Sequence, residues 1–172
     1  HWWDFGNGQL GDMGCHLLDL PFWALDLKYP TTVETVGPPV HPEMYPRSLN
    51  ARWTFAARND LPPVELTWYD GGKKPPMWEE ETFPTWSEGV LFVGAEGMLF
   101  SHFGRYELHP QQKFAGFEPP PQTIPGPISH AQEWLTACKT GSPTGTHFGY
   151  SGPLSETVLL GTVAYRTGQR LE

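Results

Sequence analysis

Ser48-Leu49-Asn50-Ala51-Arg52-Trp53-Thr54-Phe55-Ala56-Ala57-Arg58 alternates residue by residue, with Leu49, Ala51, Trp53, Phe55 and Ala57 on one side and Asn50, Arg52, Thr54 and Ala56 on the other. Side chains of a strand point to opposite faces with period two, so this stretch predicts a strand with one buried face. Val64 to Tyr69 reads as a second strand, ended by the turn Asp70-Gly71-Gly72. Upstream, Thr31 to Val36 is a β-rich run, and Gly37 to Pro46, with four prolines, is a loop. Downstream, Val90 to Val93 and Met98 to His102 flank Gly94-Ala95-Glu96-Gly97 as a hairpin, and Arg105 to His109 extends the sheet. Lys73 to Ser87, rich in Pro, Glu and Trp without a period, predicts a long surface loop that covers the site. Pro110 to Pro127, with six prolines, predicts an irregular connection.

Helical spacing brackets these strands. From Gln9 to Leu27 an apolar stripe (Leu10, Met13, Leu17, Leu20, Ala24, Leu27) opposes a polar one of Asp12, His16 and Asp19. Pro21 falls inside that pattern, so either the helix kinks there or a second helix starts. A helix from Ser129 to about Lys139 has Ser129 as N-cap and Gly141 past its end, and is expected to bury Trp134, Leu135 and Cys138. Pro153 to Tyr165 reads as a last helix, with Pro153 in its first turn and Gly168 after its end. Helix, then strands, then helices predicts an α+β domain: a largely antiparallel, open β-sheet with helices packed on one face.

At 172 residues the chain is long enough for one domain and short for two. With 11 basic and 19 acidic residues and a net charge of -8, it has no basic face to neutralise phosphates, which argues against nucleic acid or an anionic membrane as partner. A neutral or cationic small substrate fits better. Aromatics reach 14%, with eight Trp, and their flat faces suit either sugar rings or sheet packing and an oligomer interface. Cys15 and Cys138 form no disulfide framework and no metal-ligand spacing, and are expected as buried thiols. No run of about 18 apolar residues is present to span a membrane. The first residue is His, inside a dense aromatic motif, which reads as a fragment of a longer chain and leaves the compartment open.

Asp12 and His16 stand four residues apart behind a glycine-rich stretch, so on a helix they share a face. A carboxylate beside an imidazole can fix its tautomer and serve as an acid/base unit. The same spacing also fits a helix N-terminal carboxylate favoured by the macrodipole, with a histidine paired to it for stability. Two such residues are too few for a catalytic zinc site, and no metal is expected. Gly6-x-Gly8-x-x-Gly11 matches the dinucleotide fingerprint, but His1-Trp2-Trp3-Asp4-Phe5 is not the aliphatic strand that must precede it. Asp12 would also place negative charge where a pyrophosphate should sit. NAD binding at these glycines is therefore rejected.

Trp2-Trp3-Asp4-Phe5-Gly6-Asn7-Gly8 through Gly11-Asp12-Met13-Gly14-Cys15-His16 resembles the C-terminal domain of the Gfo/Idh/MocA oxidoreductases, in the subgroup common in planctomycetes and Bacteroidetes. Trp68-Tyr69-Asp70-Gly71-Gly72 with Pro75-Pro76, Gly94-Ala95-Glu96-Gly97, and Leu159-Leu160-Gly161 through Ala164-Tyr165-Arg166-Thr167-Gly168 carry the likeness along nearly the whole chain. The resemblance implies that residues 1–172 form a single α+β substrate domain of the dihydrodipicolinate-reductase-like kind. It implies a separate N-terminal Rossmann domain holding NAD or NADP, a further C-terminal stretch, and a homo-oligomer contact through the open sheet. It places the family's D-x-x-x-H pair on Asp12 and His16, with the EKP lysine outside this chain. His16 would take a proton from a sugar or polyol hydroxyl whose carbon gives hydride to the nicotinamide, and Asp12 would orient it. Trp3, Asp4, Asn7 and His147 are the candidate substrate contacts. Two alternatives remain: a glycoside lyase or hydrolase working through transient C3 oxidation, and a non-catalytic carbohydrate-binding module.

Overall fold

A computed structural model describes residues 1–78, 83–126 and 128–172. It is an α+β fold, as expected, and the six strands among the described residues are divided between two three-stranded antiparallel sheets. Helix α1 (Gly8–Ala24) leads into the first sheet, β1 (Thr32–Val36), β2 (Asn50–Phe55) and β3 (Val64–Tyr69), in that spatial order. The second sheet is β4 (Val90–Val93), β5 (Met98–His102) and β6 (Arg105–His109), followed by α2 (His130–Thr140) and α3 (Phe148–Thr167).

The register of the first sheet pairs Val33 with Trp53, Trp53 with Leu66, Ala51 with Trp68 and Phe55 with Val64. These side chains share one face, and α1 and α3 cover it. The main core is built there, from Leu10, Leu18 and Phe22 of α1, the inward residues of β1 to β3, and Leu154, Val158, Ala164 and Tyr165 of α3. Trp53 lies at its centre and donates from Nε1 to the Thr157 carbonyl of α3 at 2.8 Å. Gly161 lets the helix come that close, since a Cβ there would stand 2.8 Å from both Trp53 Cζ2 and Leu10 Cδ2. On the outer face, Arg52 bridges Glu34 on β1 and Glu65 on β3, an exposed ladder across all three strands. Leu171 pairs antiparallel with Val33 through bonds of 3.1 and 2.9 Å, alongside β1.

Two helices carry a proline inside them. α1 is one helix with Pro21 buried in its last turn, where the missing N–H removes a single bond. Its end is closed by Leu25 N–H to the Pro21 carbonyl and by Arg58, whose Nε donates to the Leu25 carbonyl at 2.9 Å. α3 begins at Phe148, five residues before Pro153, so the proline lies inside the helix rather than at its start. Gly149 and Gly152, poor helix formers, conceal that first turn in the sequence.

The second sheet has a smaller centre. Phe100 of β5 is buried beneath Trp86, which stacks on it at 4.8 Å, and Trp78 and Phe83, which stack on each other at 4.6 Å. The Lys73–Ser87 loop, expected to cover the site, instead lays Trp78, Phe83 and Trp86 over this sheet, with residues 79–82 outside the described set. Pro127, at the end of the predicted Pro110–Pro127 connection, also lies outside it.

α2 has the expected boundaries, with Ser129 Oγ accepting from Gln132 N–H at 3.2 Å and Gly141 left-handed at its end. The expectation that it buries Trp134, Leu135 and Cys138 is overturned: all three are exposed and the helix has no buried residue. Ser129, Gly141 and the apolar spacing specify a helix, and none of them specifies what it packs against. Of the two cysteines expected as buried, Cys15 is half-buried and Cys138 is exposed.

Candidate functional site

Helix α1 positions the candidate pair. Residues 12, 16, 19 and 23 recur at four, three and four residues, which keeps them within a narrow stripe. Asp12, His16, Asp19 and Trp23 are all exposed, so the stripe faces outward along the length of the helix. Asp12 and His16 thus point the same way. No hydrogen bond or ion pair joins them among the described residues, so the carboxylate does not hold the imidazole's tautomer here.

The stripe continues onto α3. Tyr150 donates its hydroxyl to Asp19 Oδ1 at 2.6 Å, and its ring meets Phe22 edge-on at 6.2 Å. Burial, followed by the bond to Asp19, holds the Tyr150 phenol protonated well above the ordinary tyrosine range. Beyond this contact opens a cavity of about 370 Å³ between the end of α1, the connector to β1 and the start of α3. Trp23, Phe22, Tyr29 and Tyr150 give it aromatic walls, and Asp26 and His147 bring polar groups to it.

The other sequence candidates divide. His147 occupies the N-cap position of α3, without a side-chain capping bond, and lines the cavity. Asp4 is exposed in the segment leading into α1, and Asn7 is exposed at its N-cap without a side-chain capping bond. Trp3 is engaged in packing: its Nε1 donates to the His41 carbonyl at 3.0 Å, its ring meets Tyr45 edge-on at 5.5 Å, and the Arg166 guanidinium lies 4.8 Å above it. Asp19 was legible as part of the polar stripe, but nothing in the sequence marked Tyr150 as its partner 131 residues away.

The glycine-rich stretch does not fit a dinucleotide. A Cβ at Gly8 would fall 2.1 Å from the Tyr45 ring, and one at Gly11 would fall 2.3 Å from Asn7 Cβ. Both glycines face the protein's own side chains and leave no cradle for a pyrophosphate, and no sheet strand precedes them. Among the described residues no three His, Cys, Asp or Glu side chains converge as a metal site.

No model of a known protein family matches the chain, and no curated protein matches it. Among solved structures it is similar to an oxidoreductase from Agrobacterium radiobacter in complex with NAD+, L-tartaric acid and magnesium, with 13% identity and a TM-score of 0.45. The likeness covers 94% of this chain and 48% of that one, so this chain spans about half the length of that protein. A likeness of that depth carries no argument about chemistry.

Proposed function

We propose that this chain is the substrate-binding domain of an NAD(P)-dependent oxidoreductase acting on a hydroxyl of a sugar, polyol or glycoside, with Asp12 and His16 as its proton-transfer pair. The observation that carries this reading is the exposed line Asp12, His16, Asp19 and Trp23, which runs along one face of α1 to an aromatic cavity also lined by His147. The sequence resemblance along nearly the whole chain supports it, and the net charge of -8 suits a substrate without phosphate.

In this reading His16 accepts the hydroxyl proton and Asp12, one turn earlier, orients the imidazole. Catalytic hydrogen bonds commonly tighten only when substrate is present, so the pair closes on binding. Trp23 and Tyr29 offer faces to the rest of the substrate, and His147 offers a polar contact. We place the NAD(P) on a separate dinucleotide-binding domain and assign to this chain proton transfer and orientation alone. Homo-oligomer contact through the open sheet belongs to the same reading, with the outer face of β1 to β3 as the surface.

In the enzyme assembled with its dinucleotide-binding domain, His16→Ala is expected to lower turnover of the best sugar or polyol substrate by at least about 100-fold. Turnover within a few-fold of the parent would overturn the assignment. Asp12→Asn should slow the reaction with the fold intact, and loss of the folded state in that variant would make the carboxylate structural. Trp23→Ala should raise KM more than it lowers kcat.

A further inference from the structure

Asp70 closes the loop between β1 and β2 from inside. The sequence presents it as a turn residue, yet it is buried, and every hydrogen bond of its carboxylate is with a donor. Its Oδ1 accepts from the Leu49 amide, and its Oδ2 accepts from Trp68 Nε1 at 3.1 Å and from the Tyr45 hydroxyl at 3.2 Å. A buried carboxylate ringed by donors is held firmly in place.

Tyr45 extends that grip to α1. Its ring lies flat against Gly8, the first residue of the helix, at a φ of +66° that favours glycine for a second reason. The opening amides of a helix have no partner within it, and the Asn7 side chain does not cap them. Leu10, the third residue of α1, is fully buried, so any opening of the first turn shows at its amide. The hydroxyl donates to Asp70, and through that bond the ring is held against the first residue of the helix. The same ring supports Trp3 edge-on. One phenol thus touches the start of α1 and the segment that precedes it.

We infer that Tyr45, anchored by Asp70, is a positioning residue that sets the start of α1 and so the presentation of Asp12 and His16 along its outer face. The inference rests on the proposed role of that pair, although its structural half stands without it. An α-helix is stiff over two turns, so fixing its first turn fixes the direction of residues four and eight positions further on.

Tyr45→Phe keeps the ring on Gly8 and Trp3 and removes only the hydroxyl. In this chain, amide hydrogen exchange and the imidazole carbon-proton resonance of His16 are read together across pH 5 to 9. The variant should exchange its Leu10 amide at least about tenfold faster, with the Trp53 amide unchanged, and should move the His16 resonance. Asp70→Asn, read in the same way, should move the same two signals and leave the ring in place. Unchanged Leu10 exchange or an unmoved His16 resonance in Tyr45→Phe overturns the inference. So does loss of the folded state in both variants, because the pair would then be purely structural. The two readings fail separately. If His16→Ala leaves turnover intact, the catalytic assignment falls while the Leu10 result stands. If His16 is essential and Tyr45→Phe leaves both the His16 resonance and kcat untouched, only the positioning role falls.

Discussion

Trp53 and Trp134 are the same side chain in opposite circumstances. Trp53 is 0% exposed at the centre of the first sheet, opposed by α1 and α3, with its indole N–H bonded to Thr157. Trp134 is 64% exposed on α2, a helix with an apolar side and no buried residue. Around Trp53, sheet and helices each supply what the other lacks. Around β4 to β6, the covering comes from loop aromatics over Phe100 and His109, and α2 contributes no buried residue. Apolar spacing creates a face to be covered, and only topology determines whether a cover arrives.

Substitutions test that contrast, beginning with the strongest. Trp53→Ala should cost about 3–5 kcal/mol and remove most cooperative unfolding, read by thermal or urea denaturation. A cost below about 1 kcal/mol would mean that this half has no single centre. Phe100→Ala should cost about 3 kcal/mol within the second sheet and collapse the near-ultraviolet signal of Trp78 and Trp86. Amide protection in α1 and α3 should survive it, and equal losses in both halves would show them to be one cooperative unit.

A pH series separates the halves in another way. Burial is the main cause that lifts the phenols of Tyr45, Tyr150 and Tyr165, with Asp70 adding to it at Tyr45 and Asp19 at Tyr150. A raised tyrosine pKa means the unfolded chain releases its proton first, near the ordinary value of about 10. Stability from these groups is thus complete below about pH 10 and falls as pH rises beyond it. The urea midpoint should drop between pH 9 and pH 11, less steeply in Tyr45→Phe; an equal slope would sink this account. The smallest effect belongs to Trp134→Ala, which should change the stability of this chain by less than about 0.5 kcal/mol. A larger loss would place Trp134 against a surface that the fold does not give it.

Much of the local structure was legible. β3, β4, β5 and β6 run where alternation and turn residues placed them, and Ser129 and Gly141 bound α2 as capping chemistry requires. Periodicity is a property of neighbours in the chain, so it carries this information in full. The division of six strands into two sheets depends on pairing between distant residues, which no local pattern encodes. Burial on α2 was misread for that reason, and Pro153 misled because a proline so often opens a helix. At the candidate site, spacing alone put Asp12 and His16 on a common face. It could not decide whether they bond, and it missed Tyr150 and Tyr45, which reach α1 from elsewhere in the chain. Asp70 looked like any turn aspartate, since its three donors come together only in the folded protein.

The short pairing of Leu171 with Val33 has a consequence for handling the protein. β1 is an outer strand, and backbone groups along such an edge can template pairing with another molecule. Leu171 occupies the amide and carbonyl of Val33 on that side. Removing residues 170–172 would bare a five-residue edge that includes Thr32, Thr35 and Val36 and lacks a proline or lysine to discourage association. A shortened chain should therefore tend toward aggregation even where its melting temperature is unchanged.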